Sequence, residues 1–252
     1  MHLAIDPAQA TAFVLASVRL LAFLIVAPPF SNASVPMRVK IGLSSALALV
    51  VTPRLEVPPE MVDTAGLLAG VVFQVAVGVS MGFLVMVLFS AVQSAGALID
   101  QSAALSSATI FDPFSSSGQS PMGRLYQLLA TMLLFSSGGY LLFIAGVLRS
   151  FDAAPLDGFD LGRVGHTLTE GLGDFFVAAL QIGLPILAAL FMAELLLGLL
   201  AKAAPQMNLL VIGFGMKSLV LLGVGSVALA LLPRAVEMLV DMSLSGMGRI
   251  AG

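Results

Sequence analysis

The chain has 252 residues, of which 59% are hydrophobic and 10% are charged, and it carries a net charge of −3. Soluble domains contain about 25% charged and about 45–50% apolar residues, so this composition excludes a soluble domain and predicts an integral membrane protein. The charge gives no indication of a nucleic-acid partner. The absence of cysteine excludes disulfides, thiol catalysis and cysteine-ligated metals.

The apolar runs are continuous and long, which favours membrane-spanning helices over a β-barrel. Only helices and closed barrels satisfy every backbone polar group in lipid, and barrel strands would alternate over segments of about ten residues. We therefore expect an all-α, multi-pass bundle that forms one membrane domain with about six hydrophobic segments.

The first predicted span, Ala8 to Ala27, is interrupted only by Arg19 and ends at Pro28, where the missing amide hydrogen stops a helix. A charge inside a span either reaches the membrane surface or pairs with a neighbouring helix, or it marks a functional site. The next apolar segment, Ile41 to Thr52, is short against the about 20 residues of a perpendicular span. A proline-rich acidic connector follows it, from Pro53 to Asp63.

The run from Thr64 to Ile99 contains no charged residue and has about 36 residues, more than one span needs. It forms either one long helix or a tight hairpin. We favour the long helix because glycines recur on one four-residue register, at Gly66, Gly70, Gly78 and Gly82. Small residues let neighbouring backbones approach closely, so this stripe packs either within the chain or against other subunits.

A polar segment, Asp100 to Arg124, separates two uncharged runs. Its serines, glycines and prolines predict a flexible, non-helical stretch. Its three bulky apolar residues, Ile110, Phe111 and Phe114, are large enough to fill a narrow lumen, and hydrophobic constrictions block ions by dewetting. The alternative is a surface loop whose aromatic side chains pack on a neighbouring helix.

The second half of the chain contains three further predicted spans with an acidic loop and a turn region between them. In chain order these elements are the span Leu125 to Leu148, the acidic loop Arg149 to Asp174, the span Phe175 to Ala201 kinked by Pro185, the turn region Lys202 to Lys217, and the span Ser218 to about Met238 interrupted by Pro233.

The positive-inside rule places loops rich in lysine and arginine on the cytoplasmic side. It therefore predicts that the turn region, which carries Lys202 and Lys217, faces the cytoplasm. Glu194 lies inside the preceding span. We expect its carboxylate either to pair with one of the two lysines or to face an aqueous channel. No hydrolase, zinc-protease or nucleotide-binding motif is present, so we predict neither enzymatic activity nor a cofactor.

Several of these stretches, taken together, resemble the FliR family of flagellar type III export-gate proteins. The strongest is Glu194 to Lys217, where Ala-Pro-Gln-x-Asn ends at Asn208 and Gly213-Phe214 precedes Lys217. The supporting motifs are Arg19 with Ala27-Pro28, Pro36-x-Arg38, Gly96-x-x-Ile99-Asp100, Phe111-Asp112-Pro113, Gly138-Gly139 and Ser150-Phe151.

The resemblance implies a non-enzymatic subunit of the bacterial inner membrane and the flagellar basal body. Residues 1–174 would resemble a FliP unit with a plug loop at 105–121, and residues 175–252 would resemble a FliQ-type hairpin. The partners implied are FliP and FliQ in a hetero-oligomeric gate, FlhB around it, and unfolded flagellar proteins as cargo. Lys202 and Lys217 would line the cytoplasmic mouth and meet cargo or the large component FlhA.

Three alternatives stay open at the level of sequence. One is the equivalent subunit of a virulence secretion system, which would share fold and mechanism. A small-molecule secondary transporter would show inverted repeats and paired polar breaks near the midplane, whereas this sequence has one isolated polar stretch. A subunit with a purely structural packing role is the third.

Overall fold

The structure is a computed structural model that describes residues 6–32, 34–104, 120–154, 156 and 160–252. Within these residues the chain is helical and contains no strand. Its seven α-helices are α1 (Pro7–Val26), α2 (Met37–Val51), α3 (Thr64–Ser102), α4 (Pro121–Ser136), α5 (Gly139–Ala153), α6 (Leu161–Ala203) and α7 (Leu209–Ala251). Two single-turn 3₁₀ helices, Thr52–Arg54 and Pro59–Met61, lie between α2 and α3.

Four of the described helices are long and apolar enough to cross a membrane, namely α1, α3, α6 and the Val211–Ala251 part of α7. The helices α4 and α5 meet the same test only as a pair, which would form a fifth, broken span. These findings confirm the predicted all-α, multi-pass fold. The short second segment is α2, whose 15 residues extend about 22 Å, less than the apolar core of a bilayer.

Helix α1 begins and ends where its sequence dictates. Asp6 caps its start, because the carboxylate accepts a hydrogen bond from the Ala8 amide at 3.0 Å. Pro7 occupies the first helical position, where the missing amide costs nothing. The helix ends at Val26, two residues before Pro28.

Helix α3 is one helix of 39 residues, which excludes the alternative of a hairpin. Its glycine stripe faces segments of the same chain. A Cβ added to Gly78 would lie 2.9 Å from the Cβ of Ala22 in α1, and one added to Gly70 or Gly82 would lie 3.0 Å from Leu15 or Val26 of that helix. Gly66 meets the backbone of Glu60 and Met61 in the connector. The stripe therefore lets α1 and the connector approach the α3 backbone.

The predicted span Leu125 to Leu148 is not one continuous helix, because the helix breaks between Ser136 and Gly139. Gly138 has a φ of +72°, in the left-handed region that glycine adopts without steric cost. Two shorter helices, α4 and α5, therefore form this segment.

The predicted acidic loop from Arg149 to Asp174 is also largely helical. Its first residues belong to the end of α5, and everything from Leu161 onward belongs to α6. Asp160 starts α6 as a side-chain cap, since its Oδ1 accepts from the amides of Gly162 at 2.9 Å and Arg163 at 3.2 Å. Charged residues thus lengthen the helix beyond its apolar part instead of ending it.

The turn between the last two helices is shorter than predicted, because α6 continues to Ala203 and α7 begins at Leu209. Pro185 stays inside α6, and α7 runs through Pro233 without the predicted interruption. Membrane helices tolerate internal proline because neighbouring groups satisfy the backbone carbonyl that it frees.

Packing divides the chain into two units. The first comprises the described residues of Met1–Phe89, Ser137–Gly173 and Val240–Gly252, and the second those of Ser90–Ser136 and Asp174–Leu239. The core of the first unit contains Leu15 and Phe23 of α1, and an edge-to-face contact joins Phe89 and Phe143 at 5.7 Å between ring centroids. The core of the second unit includes buried apolar residues of α4, α6 and α7, among them Tyr126, Ile186, Leu190 and Leu232.

Candidate functional site

The side chain of Arg19 is fully buried in the first unit, on α1. Its Nε donates to Oε1 of Gln74 in α3 at 2.6 Å. Its Nη1 donates to the carbonyl and to Oγ of Ser150, both at 3.1 Å, and Nη2 donates to the carbonyl of Ala154 at 3.1 Å. One guanidinium therefore joins α1 to the middle of α3 and to the end of α5.

No carboxylate among the described residues forms an ion pair with Arg19. The positive charge instead meets the carbonyls at the C-terminal end of α5, which carry the negative end of the helix dipole. The guanidinium carbon also lies 4.2 Å from the ring centroid of Phe151, a cation–π distance. Gln74 is held in turn, because its Nε2 donates to the carbonyl of Leu156 at 2.9 Å.

Of the two acceptor side chains around Arg19, Gln74 has a sequence signal that the sequence analysis missed. It occupies the one position of the four-residue register between Gly66 and Gly82 that is not glycine. An amide side chain in the middle of a row of small residues predicts that a polar group of the neighbouring helix lies opposite it. Ser150 gave no comparable signal, because it lies 131 residues from Arg19 in the chain.

In the second unit, the fully buried Asp100 near the end of α3 contacts the start of α4. Its Oδ2 accepts from the hydroxyl of Ser120 and from the amide of Met122, the latter at 2.9 Å. The Ser120 hydroxyl oxygen accepts from the amide of Gly123 at 2.8 Å. The carboxylate stabilises the N-terminal end of α4, because the free backbone amides at that end carry partial positive charge. We call these contacts the Asp100 junction.

The backbones of α3 and α4 touch beside this junction, since a Cβ added to Gly96 would lie 2.6 Å from the Cα of Gly123. The other carboxylate oxygen of Asp100, Oδ1, has no hydrogen-bond partner among the described residues. The junction therefore fixes the two helices that flank residues 105–119. The predicted plug residues Ile110, Phe111 and Phe114, like residues 105–119 as a whole, lie outside the described residues.

The predicted hairpin residues lie near the turn between α6 and α7. Lys217 Nζ is 3.3 Å from Glu194 Oε2, which selects Lys217 over Lys202 as the partner of that carboxylate. The Lys217 side chain is 14% exposed, whereas that of Glu194 is 65% exposed. Lys202 is exposed in the last turn of α6. Because solvent screens an exposed pair, it contributes at most about 1 kcal/mol of stability.

Among the described residues, no group of three or more histidine or acidic side chains is arranged to hold a metal ion.

Comparison with known proteins places the chain among membrane export proteins. Residues 10–243 match the family described as bacterial export proteins, family 1. The flagellar biosynthetic protein FliR of Escherichia coli is 34% identical over 197 residues, which cover 78% of this chain and 76% of that protein. FliR of Bacillus subtilis is 28% identical over 211 residues, covering 82% and 81%. Yop proteins translocation protein T of Yersinia pestis is 28% identical over 186 residues, covering 70% and 69%.

The buried arginine gives a prediction about stability. Arg19→Met keeps an extended apolar side chain but leaves Gln74 Oε1 and the carbonyl of Ala154 without this donor, while the Ser150 carbonyl keeps the amide of Ala154. Each buried acceptor without a donor costs about 1–3 kcal/mol, so the substitution should lower the free energy of unfolding by several times the cost of a surface change. The measurement is the amount of chain in the membrane fraction and its melting temperature in detergent.

Arg38→Met is the matched control for this test, because Arg38 is an exposed arginine of α2. Arg19→Lys should lie between the control and Arg19→Met, since lysine keeps the charge but not the planar set of donors. Equal abundance and equal melting temperatures for Arg19→Met and Arg38→Met would contradict the assigned role.

Proposed function

This chain belongs to the bacterial export proteins of family 1, and from that membership we propose that it is a core subunit of the flagellar type III protein export gate. As a member it is a component of a type III export apparatus. The proposed role is non-catalytic: the chain forms part of the channel through which unfolded flagellar proteins cross the inner membrane, at the flagellar basal body. The single observation that carries the proposal is the family match over residues 10–243, which covers most of each described helix that is long and apolar enough to cross a membrane.

The flagellar assignment is favoured over the virulence system by the relatives themselves. The E. coli FliR protein shares 34% identity with this chain, against 28% for the Yersinia pestis translocation protein T, and it aligns over more of the chain. The equivalent subunit of a virulence secretion system is the second candidate, because that relative also matches most of the sequence.

The uneven burial of the spans supports assembly with other subunits. In α1 and α3, 50% and 56% of the most apolar window is buried within the chain, but only 17% and 22% in α6 and α7. The long helices of the C-terminal hairpin therefore leave most of their surface for other helices or for lipid. We propose FliP and FliQ as the neighbours and FlhB around them, with residues 1–174 acting as a FliP-like part and residues 175–252 as a FliQ-like hairpin.

Removal of the gene tests the proposed function. Without this chain, cells should lose motility and stop releasing flagellar subunits into the medium, and a tagged copy should restore both. The restored copy should co-purify with FliP and FliQ at a mass far above that of one chain. Loss of effector secretion with normal motility would favour the virulence system instead, and a monodisperse monomer with normal secretion of both kinds would contradict both candidates.

We further propose that residues 105–121 act as a plug that closes the channel at rest, with Ile110, Phe111 and Phe114 filling the lumen. The support is the make-up of the segment, with bulky apolar residues among serines and glycine, and the family resemblance around Phe111-Asp112-Pro113. Apolar side chains in a narrow lumen exclude ions because water leaves such a constriction.

Deleting residues 106–117 should raise ion leakage through the assembled gate. The deletion leaves Asp100, Ser120 and Met122 in place, so the start of α4 keeps its capping contacts. Leakage is measured as loss of membrane potential in cells that express the complete gate. A full-length variant with Ile110, Phe111 and Phe114 all changed to serine is the matched control for segment length and should leak as well. Conductance that stays at the wild-type value in both would remove the plug from the proposal.

Lys217 is proposed to line the cytoplasmic mouth of the channel, where cargo or FlhA passes. The turn that joins α6 and α7 brings Lys217, Glu194 and Lys202 to one end of the hairpin. Because the Glu194–Lys217 pair adds little stability, a role for this lysine should appear in export and not in assembly.

Lys217→Ala should reduce the secretion of flagellar subunits while the amount of assembled gate stays unchanged. Glu194→Ala separates two explanations, since it removes the partner but keeps the cation. If the cation itself meets cargo, Glu194→Ala should secrete normally; if the pair orders the hairpin, it should match Lys217→Ala. Lys202→Ala provides the comparison with a fully exposed lysine. Normal motility and secretion in Lys217→Ala would contradict the proposal.

A further inference from the structure

The first unit contains a groove of about 290 Å³ between α5 and the C-terminal end of α7. Small or apolar residues line most of it: Leu142, Ala145, Gly146, Leu244, Met247 and Gly248. The glycine at 146 brings the two helices together, because a Cβ there would lie 3.0 Å from the end of the Met247 side chain. The slot is thus bounded by side chains of both helices.

The groove has one charged lining residue, Arg149. It is exposed and makes no ion pair with any carboxylate among the described residues, including the exposed Asp152 one turn further along α5. The neighbouring Ser150, also in the lining, is already bound by Arg19. The cation is therefore available to a ligand.

Arg149 lies toward the end of the groove where α5 and α7 both terminate. Ala153 and Ala251 complete the lining there, and they are the last residues of α5 and α7. From Arg149 the apolar lining extends back along α5 and α7 to Leu142 and Leu244. A cation at a helix end and an apolar slot leading inward match a phospholipid, whose phosphate lies at the membrane surface and whose acyl chains lie below it.

We propose that this groove binds an anionic phospholipid, with its phosphate at Arg149 and one acyl chain along the slot between α5 and α7. The α7 side of the groove, Leu244 to Ala251, is about 10 Å long. An extended acyl segment can lie along a slot of that length, and the exposed Arg149 at its end supplies the positive charge that an anionic headgroup needs and that an apolar partner helix does not. The proposal needs only the membrane-spanning fold and does not depend on the export role.

The test uses the gate complex purified with this chain and reconstituted in nanodiscs of phosphatidylcholine and phosphatidylglycerol. The lipids that stay bound after gentle extraction are counted by native mass spectrometry. Arg149→Gln should lower the preference for phosphatidylglycerol about fivefold, because one basic side chain at a membrane surface contributes about that factor. Arg38→Gln, an exposed arginine of α2 outside the groove, should leave the preference unchanged.

A second variant tests the slot itself. A Cβ on Gly248 meets nothing within 4 Å, so Gly248→Leu adds a bulky side chain to the groove lining from an open position and should reduce the retention of both lipids. Wild-type retention in Gly248→Leu, or an unchanged lipid preference in Arg149→Gln, would overturn the proposal. A photo-crosslinker in place of Gly248 should capture phospholipid; capture of a partner subunit instead would show that protein covers the groove and would also overturn it.

Discussion

The burial of one guanidinium constrains the first unit more than any other interaction. A charged group removed from water is stable only when its donors are satisfied, and Arg19 donates to oxygens in two separate parts of the chain, Gln74 in α3 and the Ser150–Ala154 end of α5. The glycine stripe of α3 supplies the close approach that this arrangement needs, because Gly78 lies against the backbone of α1 at Arg19 itself. Removing the small residues would separate α1 from α3 and thereby move Gln74 away from the cation. The polar contact between Arg19 and Gln74 therefore depends on the close packing of the α1 and α3 backbones.

The second unit uses the opposite charge at the opposite kind of helix end. Arg19 faces the carbonyls that end α5, whereas Asp100 faces the amides that begin α4. In both places a buried charge is balanced by the partial charges of a helix terminus. Among the described residues, neither forms an ion pair with another side chain. In a chain with so few charged residues, helix ends supply the partners of both buried charges.

The sequence predicted the long elements better than their limits. The uncharged run after Thr64 and the register of its glycines indicated one long helix. For Glu194 the sequence left open a pair with one of two lysines or an aqueous channel, and the structure shows the pair with Lys217. Hydropathy could not show that α6 continues through the acidic stretch before Asp174, since a helix extends through polar residues once Asp160 caps it. It also missed the break at Gly138, which depends on backbone conformation and not on polarity. Of the partners of Arg19, Gln74 could have been found from its place in the glycine register, whereas Ser150, 131 residues away in the chain, carried no such signal.

That separation along the chain has a consequence for biosynthesis. Arg19 leaves the ribosome long before Ser150, and a translocon must pass α1 to the lipid while its cation still lacks two of its three partners. Insertion of one arginine at the centre of a span costs about 2.5–3.5 kcal/mol, which the other apolar residues of α1 have to offset on their own. At about 5–20 residues per second, Ser150 follows after roughly ten seconds. The first helix to enter the membrane is thus among the last to reach its final contacts, and the nascent chain has to keep α1 close by until α5 has been made.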